Sequence, residues 1–256
     1  MRRNRPRQLL AEGKVPLGHM IWEFSTRGIA KVVEAAGLDF VLIDMEHSGF
    51  DIGRVNDLLA WFKATPVTPI VRVPANEYHF IARVMDAGAL GIMAPNVQSA
   101  EEARAVIQAM RYAPEGGRGL GLGGSHNDFI PPDPVAYMTE ANRENILLCQ
   151  IESTSGLKNV EAIAALPGVD VLWVGHMDLT QSMGIAGQLK HPDFIAALKK
   201  VAETAKKHGK AAGIQPANLD QARQWMDLGY NIISLGADAA FYRAALTADI
   251  AALRAG

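Results

Sequence analysis

Several things are scarce or missing in this 256-residue chain, and each absence excludes something. A single cysteine, Cys149, rules out an internal disulfide framework and any multi-cysteine zinc or iron–sulfur site within one chain, and it suits a reducing cytoplasm. Neither sign of charge dominates: 25 Lys and Arg against 27 Asp and Glu leave a net charge of −2, without the basic footprint of a nucleic-acid binder. No DNA or RNA partner is expected. No apolar run is long enough to span a bilayer, and the basic N-terminal stretch MRRNRPRQLLAEGK lacks the apolar core of a signal peptide. The expectation is a soluble, cytoplasmic protein with no membrane partner. No GxGxxG follows the first apolar run, and the comparable cluster GGRGLGLGG at 116–124 follows a helical pattern instead, which weighs against an open dinucleotide-binding sheet. No lysine falls inside a strand-like run, so a Schiff-base mechanism lacks its nucleophile. Cys149 sits in apolar ILLCQIE with no histidine close in sequence, a poor setting for a reactive thiol.

What is present is a regular alternation. Hydrophobic residues make up 49% of the chain, enough for a large core. Eight short apolar runs recur at 17–22, 40–46, 68–74, 91–96, 146–153, 169–175, 211–216 and 231–238. Helical patterns separate them; in 98–112, for example, Ala100, Ala103, Val106, Ile107 and Met110 form one apolar stripe. Parallel strands with crossover helices follow from this order. Eight such units in a chain of this size favour closure, because a closed sheet leaves no edge to protect. The expected fold class is therefore α/β, a single (β/α)₈ TIM barrel over residues 1–256, with an open Rossmann-like sheet as the alternative. The interval between the fourth and fifth runs is roughly fifty residues, too long for an ordinary connection. Its surplus, about 112–135 (YAPEGGRGLGLGGSHNDFIPPDP), is rich in glycine and proline and reads as a loop over the active-site mouth, or as a surface excursion used in subunit contacts. His126 in that loop could touch substrate or a neighbouring subunit.

In such barrels the reacting groups stand at the C-terminal ends of the strands, and four ends here are polar. Strand two ends in Asp44, Glu46 and His47, strand three in Arg72, strand five in Gln150 and Glu152, and strand six runs into His176 and Asp178. Glu152 and Asp178 are 26 residues apart, one βαβ crossover, which brings two carboxylates to neighbouring strands on one rim. Two oxygen ligands, with water and substrate completing the shell, suit a hard divalent cation such as Mg²⁺ or Mn²⁺. The alternative is that each carboxylate caps the helix that follows it. His47 has Asp44 and Glu46 beside it, which could orient the imidazole and raise its basicity; otherwise it is a satisfied structural histidine. Arg72 emerges from apolar IVRV, where a guanidinium needs an anion, either a substrate carboxylate or enolate, or a buried partner such as Glu46 or Glu152.

Five separated motifs occur in one order: GLDFVLIDMEHSGFD, IVRVP, QSAEEARAVIQAMRYAPEGGRG, QIES with Gly156, and GVDVLWVGHMDLTQSMG followed by HPDF. In these the chain resembles, over nearly its whole length, the class II pyruvate aldolases of the HpcH/HpaI family, of the 4-hydroxy-2-oxoheptanedioate aldolase type. The resemblance implies a (β/α)₈ barrel assembled as a homo-oligomer, trimers paired into hexamers, with the last helix packed on a neighbour. It implies metal ligation by Glu152 and Asp178, with Co²⁺ or Zn²⁺ as further options, and substrate binding by Arg72. It also implies proton transfer by His47 with Asp44 as its partner, Gln150 and Glu46 behind the ligands, and a pyruvate carboxylate held by the backbone around Met177 and Asp178. The substrates so implied are a small 2-oxo acid and an aldehyde. The chain departs from many members in having His176-Met177 before Asp178, and Met20 then Trp22 in the first strand. A related carbon–carbon lyase or decarboxylase, such as the similar macrophomate synthase, and a non-catalytic oxo-acid-binding barrel are the rival readings.

Overall fold

A computed structural model describes residues 2–255, so the expected domain's two end residues lie outside the described part. Eight parallel strands close on themselves in chain order: β1 Leu17–Ile21, β2 Phe40–Asp44, β3 Thr68–Arg72, β4 Gly91–Ala94, β5 Ile146–Ile151, β6 Val171–Val174, β7 Ala211–Ile214 and β8 Ile232–Ala237. The expected barrel is what forms. Each strand is slightly shorter than its apolar-to-polar run, because the polar ends step off the sheet into loops. Glu46 and His47 leave β2, Glu152 lies one residue beyond β5, and His176 and Asp178 belong to the helix after β6.

Residues on alternate faces of each strand build two separate layers. The outward set, including Val41, Ile43, Val71, Ile92, Leu147, Cys149 and Leu172, packs under the surrounding helices. The inward set, Phe40, Leu42, Ile70, Met93, Ile146, Leu148, Val171, Trp173 and Ile232, fills the barrel. Large rings fit inside because glycines face them. A Cβ on Gly18 would lie 2.3 Å from the Phe40 ring, and one on Gly213 would lie 2.2 Å from Trp173. The same parity carries the inward row of β2 from Phe40 and Leu42 to Asp44, of β3 from Ile70 to Arg72, and of β5 from Ile146 and Leu148 to Gln150. The polar residues thus form the top layer of the barrel interior.

Helix ends follow their local chemistry. Ser99 accepts from the Glu102 N–H at 3.2 Å and opens the helix Ala100–Met110, whose Ala103, Val106, Ile107 and Met110 are buried as the stripe requires. Gly88 closes the helix Tyr78–Ala87 at φ 110°, a left-handed conformation open to glycine. No helix among the described residues is long and apolar enough to cross a membrane.

The glycine- and proline-rich segment corrects one expectation. It follows the helix Ala100–Met110 and so leaves from the N-terminal end of the barrel, the end away from the mouth. There Arg118 bonds Asp86 with Nη2 at 2.5 Å, the His126 Nδ1 meets the Asp86 carbonyl at 3.0 Å, and Lys63 bonds Asp128 at 2.7 Å and the Ser125 carbonyl. These contacts tie it to the ends of the helices Tyr78–Ala87 and Ile52–Phe62, so within its own chain it does not cover the strand C-termini.

Candidate active site

Asp44 and Arg72 anchor the site. They are register partners on β2 and β3, and their inward side chains meet as a two-pronged pair, Nε to Oδ1 at 2.8 Å and Nη2 to Oδ2 at 2.7 Å. Asp44 also accepts from the backbone N–H groups of Glu46 at 2.9 Å and His47 at 3.3 Å, and its carbonyl accepts from the Ser48 hydroxyl. The strand end is thereby turned into a tight loop that presents the next two side chains. Glu46 comes back toward Arg72, with 3.1 Å between Oε2 and Nη1, while His47 stands exposed with its Nε2 3.7 Å from Glu46 Oε2. Asp44 was expected to partner the imidazole. Its carboxylate is instead committed to Arg72 and to backbone donors, and the carboxylate nearest the His47 ring is Glu46.

Glu152 occupies the opposite side. Its Oε1 accepts from the Asn96 N–H at 2.7 Å and its Oε2 from the Gln150 amide. Gly175 makes room for this pair: a Cβ there would lie 2.3 Å from Glu152 Oε2, 2.7 Å from Glu152 Cβ and 2.8 Å from Gln150 Nε2. Burial first, then the neighbouring Glu46 and Asp178, push the Glu152 carboxyl up to about 7. Burial likewise raises Glu46, against the opposing pull of Arg72 and His47. Asp178 is exposed in the first turn of the helix His176–Ser182, electrostatically coupled to both glutamates. Ser153, not Glu152, caps the helix Thr154–Lys158, accepting from the Gly156 N–H at 3.1 Å, so the capping alternative for Glu152 does not hold.

Four acidic side chains, Asp44, Glu46, Glu152 and Asp178, and one arginine therefore share the mouth. Among the described residues no group of three or more His, Cys, Asp or Glu side chains is arranged as a ready-made metal cage. The donors that fit a hard cation are the carboxylates of Glu152 and Asp178. Each Glu152 oxygen keeps a lone pair after its single hydrogen bond, and a divalent charge would offset the repulsion that raises this carboxyl. His176 is no part of this group, since its ring packs 5.7 Å from Trp225 and burial lowers its basicity. Met177 is exposed beside Asp178, with its carbonyl accepting from the Thr180 hydroxyl at 2.8 Å. Cys149 is fully buried and faces outward under the helices, and burial raises its thiol.

Three contributors escaped the sequence reading. Asn96, at φ 45° after β4, supplies the N–H that fixes Glu152. Gly175 supplies the space. Asp238, just past β8, collects the backbone N–H groups of Trp22, Glu23 and Phe24 at 3.3, 3.0 and 2.7 Å and so holds the rim loop after β1. The asparagine and glycine at strand ends are visible signals, but their partners are distant in sequence.

A closed eightfold barrel with a carboxylate-rich, arginine-bearing mouth defines the class as a (β/α)₈ barrel with its polar cluster at the C-terminal ends of the strands. Comparison with known proteins agrees: the HpcH/HpaI aldolase/citrate lyase family profile matches residues 20–245. The hydroxypyruvate/pyruvate aldolase of Paraburkholderia phytofirmans is 40% identical over 230 residues, 87% of each chain. The 5-keto-4-deoxy-D-glucarate aldolase of Klebsiella pneumoniae is 36% identical over 216 residues, 84% of this chain and 83% of its own. The crystal structure of an HpcH/HpaI aldolase from Desulfitobacterium hafniense superposes with a TM-score of 0.92 at 29% identity, covering 97% of this chain and 96% of that one. The chain belongs to the HpcH/HpaI aldolase/citrate lyase family, and with it to the lyases of aldolase type.

Proposed function

We propose that the chain is a divalent-metal-dependent aldolase that reversibly cleaves 4-hydroxy-2-oxo acids to pyruvate, or a close 2-oxo acid, and an aldehyde. The observation that carries this reading is the convergence of Glu46, Glu152 and Asp178 on one mouth with Arg72 at its edge. The aldolase relatives support the reaction class, and their substrates, as named, point to oxo acid chemistry.

Glu152 and Asp178 would hold the ion, Mg²⁺ or Mn²⁺ by the hardness of the donors, with Co²⁺ or Zn²⁺ as alternatives. When bound, it supplies Lewis-acid stabilisation of the negative charge that develops on the 2-oxo acid. The protein's own residues do the rest. Arg72, locked by Asp44, offers the Nη1 end of its fork to a substrate oxygen and shares the enolate's charge. His47, exposed at the mouth beside Glu46, takes the proton from the 4-hydroxyl group, through a water where the two do not touch. Gln150 keeps Glu152 oriented, and the backbone about Met177 and Asp178 receives the substrate carboxylate.

The chain works as a homo-oligomer, a trimer or hexamer. In support, the final helix Asp238–Ala255 leaves Phe241, Tyr242, Leu246, Ile250 and Leu253 exposed, more apolar surface than an isolated helix keeps in water. A cytoplasmic location suits the single buried thiol.

The test is release of pyruvate from 4-hydroxy-2-oxo acids, coupled to a dehydrogenase, before and after exhaustive chelation. Activity should vanish with chelator, return with Mg²⁺ or Mn²⁺, and be absent in Glu152→Ala and Asp178→Ala, neither of which should bind the ion. Full turnover by thoroughly stripped protein would sink the metal mechanism.

A further inference from the structure

The N-terminal end of the barrel, opposite the mouth, carries a second concentration of charge. A cavity of about 720 Å³ opens there between the end of the helix Ala100–Met110, the helix Pro134–Glu144 and the turn before β6. Four arginines, Arg7, Arg104, Arg111 and Arg143, line it against two carboxylates, Glu115 and Asp170. An adjoining cavity of about 290 Å³ shares Arg7 and Asp170 and adds Lys210.

The carboxylates are shared unevenly among these cations. Asp170 serves Arg7 at 2.5 Å and Arg111 at 3.3 Å, and it accepts the Leu147 N–H at 2.8 Å as well. Lys210 bonds the Leu166 carbonyl at 3.2 Å and feels Asp170 from further away. Arg111 is 4% exposed, and its Nε has no hydrogen-bond partner among the described residues. Its other carboxylate, Glu115, is 3.9 Å away and more than half exposed. A guanidinium this deep is normally matched by anions on every donor edge. Consistent with crowded positive charge, burial lowers Arg111 and Lys210, and Arg7 adds to both effects. At the rim, Arg104 has an exposed pair with Glu101 at 3.8 Å, weak enough to exchange for a better anion, while Arg143, itself exposed, reaches the buried Glu144 at 3.1 Å and Glu140 at 3.8 Å. The wall between the charges is apolar, made by Ile107, Leu166 and Pro167. A volume of this order holds a metabolite (roughly 300–1,000 Å³ for small-molecule sites).

We propose that this basal cavity binds a multivalent organic oxyanion, a phosphate ester or polycarboxylate of metabolite size, through Arg104, Arg111 and Arg143, with its carbon skeleton against Ile107 and Leu166. The site is separate from the aldol chemistry, since it lies where β6 begins and the mouth lies where β6 ends. Phosphate and carboxylate share the fork-matching oxygen geometry that arginine selects.

Calorimetric titration of the full chain in magnesium buffer tests this, with inorganic phosphate and propane-1,2,3-tricarboxylate as separate probes. At least one should bind at one equivalent per chain; preference for phosphate marks the ester class and preference for tricarboxylate the polycarboxylate class. The double variant Arg104→Ala/Arg143→Ala should weaken that binding about tenfold or more. Asp170→Asn, which removes the competing charge but keeps an acceptor for the Leu147 N–H, should tighten it. A purely structural arginine cluster would not respond in that opposite way. The proposal is overturned by no binding of either probe, or by binding that the double variant leaves intact and Arg72→Lys abolishes, because the anion then sits in the mouth. The double variant alters only exposed side chains and decides the matter even where Asp170→Asn does not fold.

Discussion

Asp44 and Arg72 face each other across one register step of β2 and β3, and the carboxylate, fully buried, takes the guanidinium on both oxygens at 2.8 and 2.7 Å. Asp44→Ala strands a buried arginine whose remaining paired carboxylate is Glu46 at 3.1 Å. The expected cost is about 3 kcal/mol, the lower end for breaking a buried pair. Urea denaturation measures it, and an unchanged midpoint would show that the pair is not holding the mouth together.

Gly175→Ala places a methyl group where Glu152 Cβ and the Gln150 amide now stand. Both side chains must move, and with them the proposed ligand oxygen. Divalent-ion affinity should drop roughly 10-fold to 100-fold, the range for disturbing groups that orient a metal ligand. Titration with Mn²⁺, followed by electron paramagnetic resonance, reports this directly; unaltered affinity would remove Glu152 from the ligand set.

His47 is exposed and its ring has no strong partner, so His47→Gln should leave stability within about 0.5 kcal/mol of the parent. Turnover should nonetheless fall about 100-fold or more while the metal still binds, as loss of a proton-transfer group predicts. Steady-state kinetics beside a melting curve separate the two; a stable variant with full kcat shifts the proton transfer to another group.

Acid should loosen the segment that carries His126. Its Nδ1 meets the Asp86 carbonyl and its Nε2 is buried without a partner among the described residues, so burial first, with help from Arg118 and Lys63, outweighs the Asp86 hydrogen bond and holds it below its ordinary value of 6.5. A histidine whose basicity is lowered by folding takes up its proton more readily in the unfolded chain, so its stabilising share is present above pH 6.5 and is lost as pH falls below it. His126→Gln should flatten the decline of Tm between about pH 7 and 5 without removing it, since His176 is lowered for the same reason. Identical acid limbs in both proteins would refute the assignment.

How much of this was legible in the chain follows from what is local. The short apolar runs, alternating with helical patterns, located every strand, and the polar residues at their ends marked Asp44, Arg72 and Gln150, because both are properties of consecutive residues; which face each one takes came with the barrel. The helix caps at Ser99 and Gly88 were equally local. The partner of Asp44 was not, because His47 is near in sequence but the strand register brings Arg72 nearer in space. Nor was the course of residues 112–135, whose composition marks a long excursion but not the end of the barrel from which it departs.

By itself, then, the sequence determined the barrel, the place of each strand and the set of polar groups at the strand ends, since spacing and hydrophobicity along the chain decide these. Only the tertiary structure decided the pairing: Asp44 with Arg72, Glu46 beside His47, Glu152 fitted against Gly175, and Asp170 shared between Arg7 and Arg111. Those contacts depend on inter-strand register and on which loop lies at which end, and closing the sheet fixes both at once.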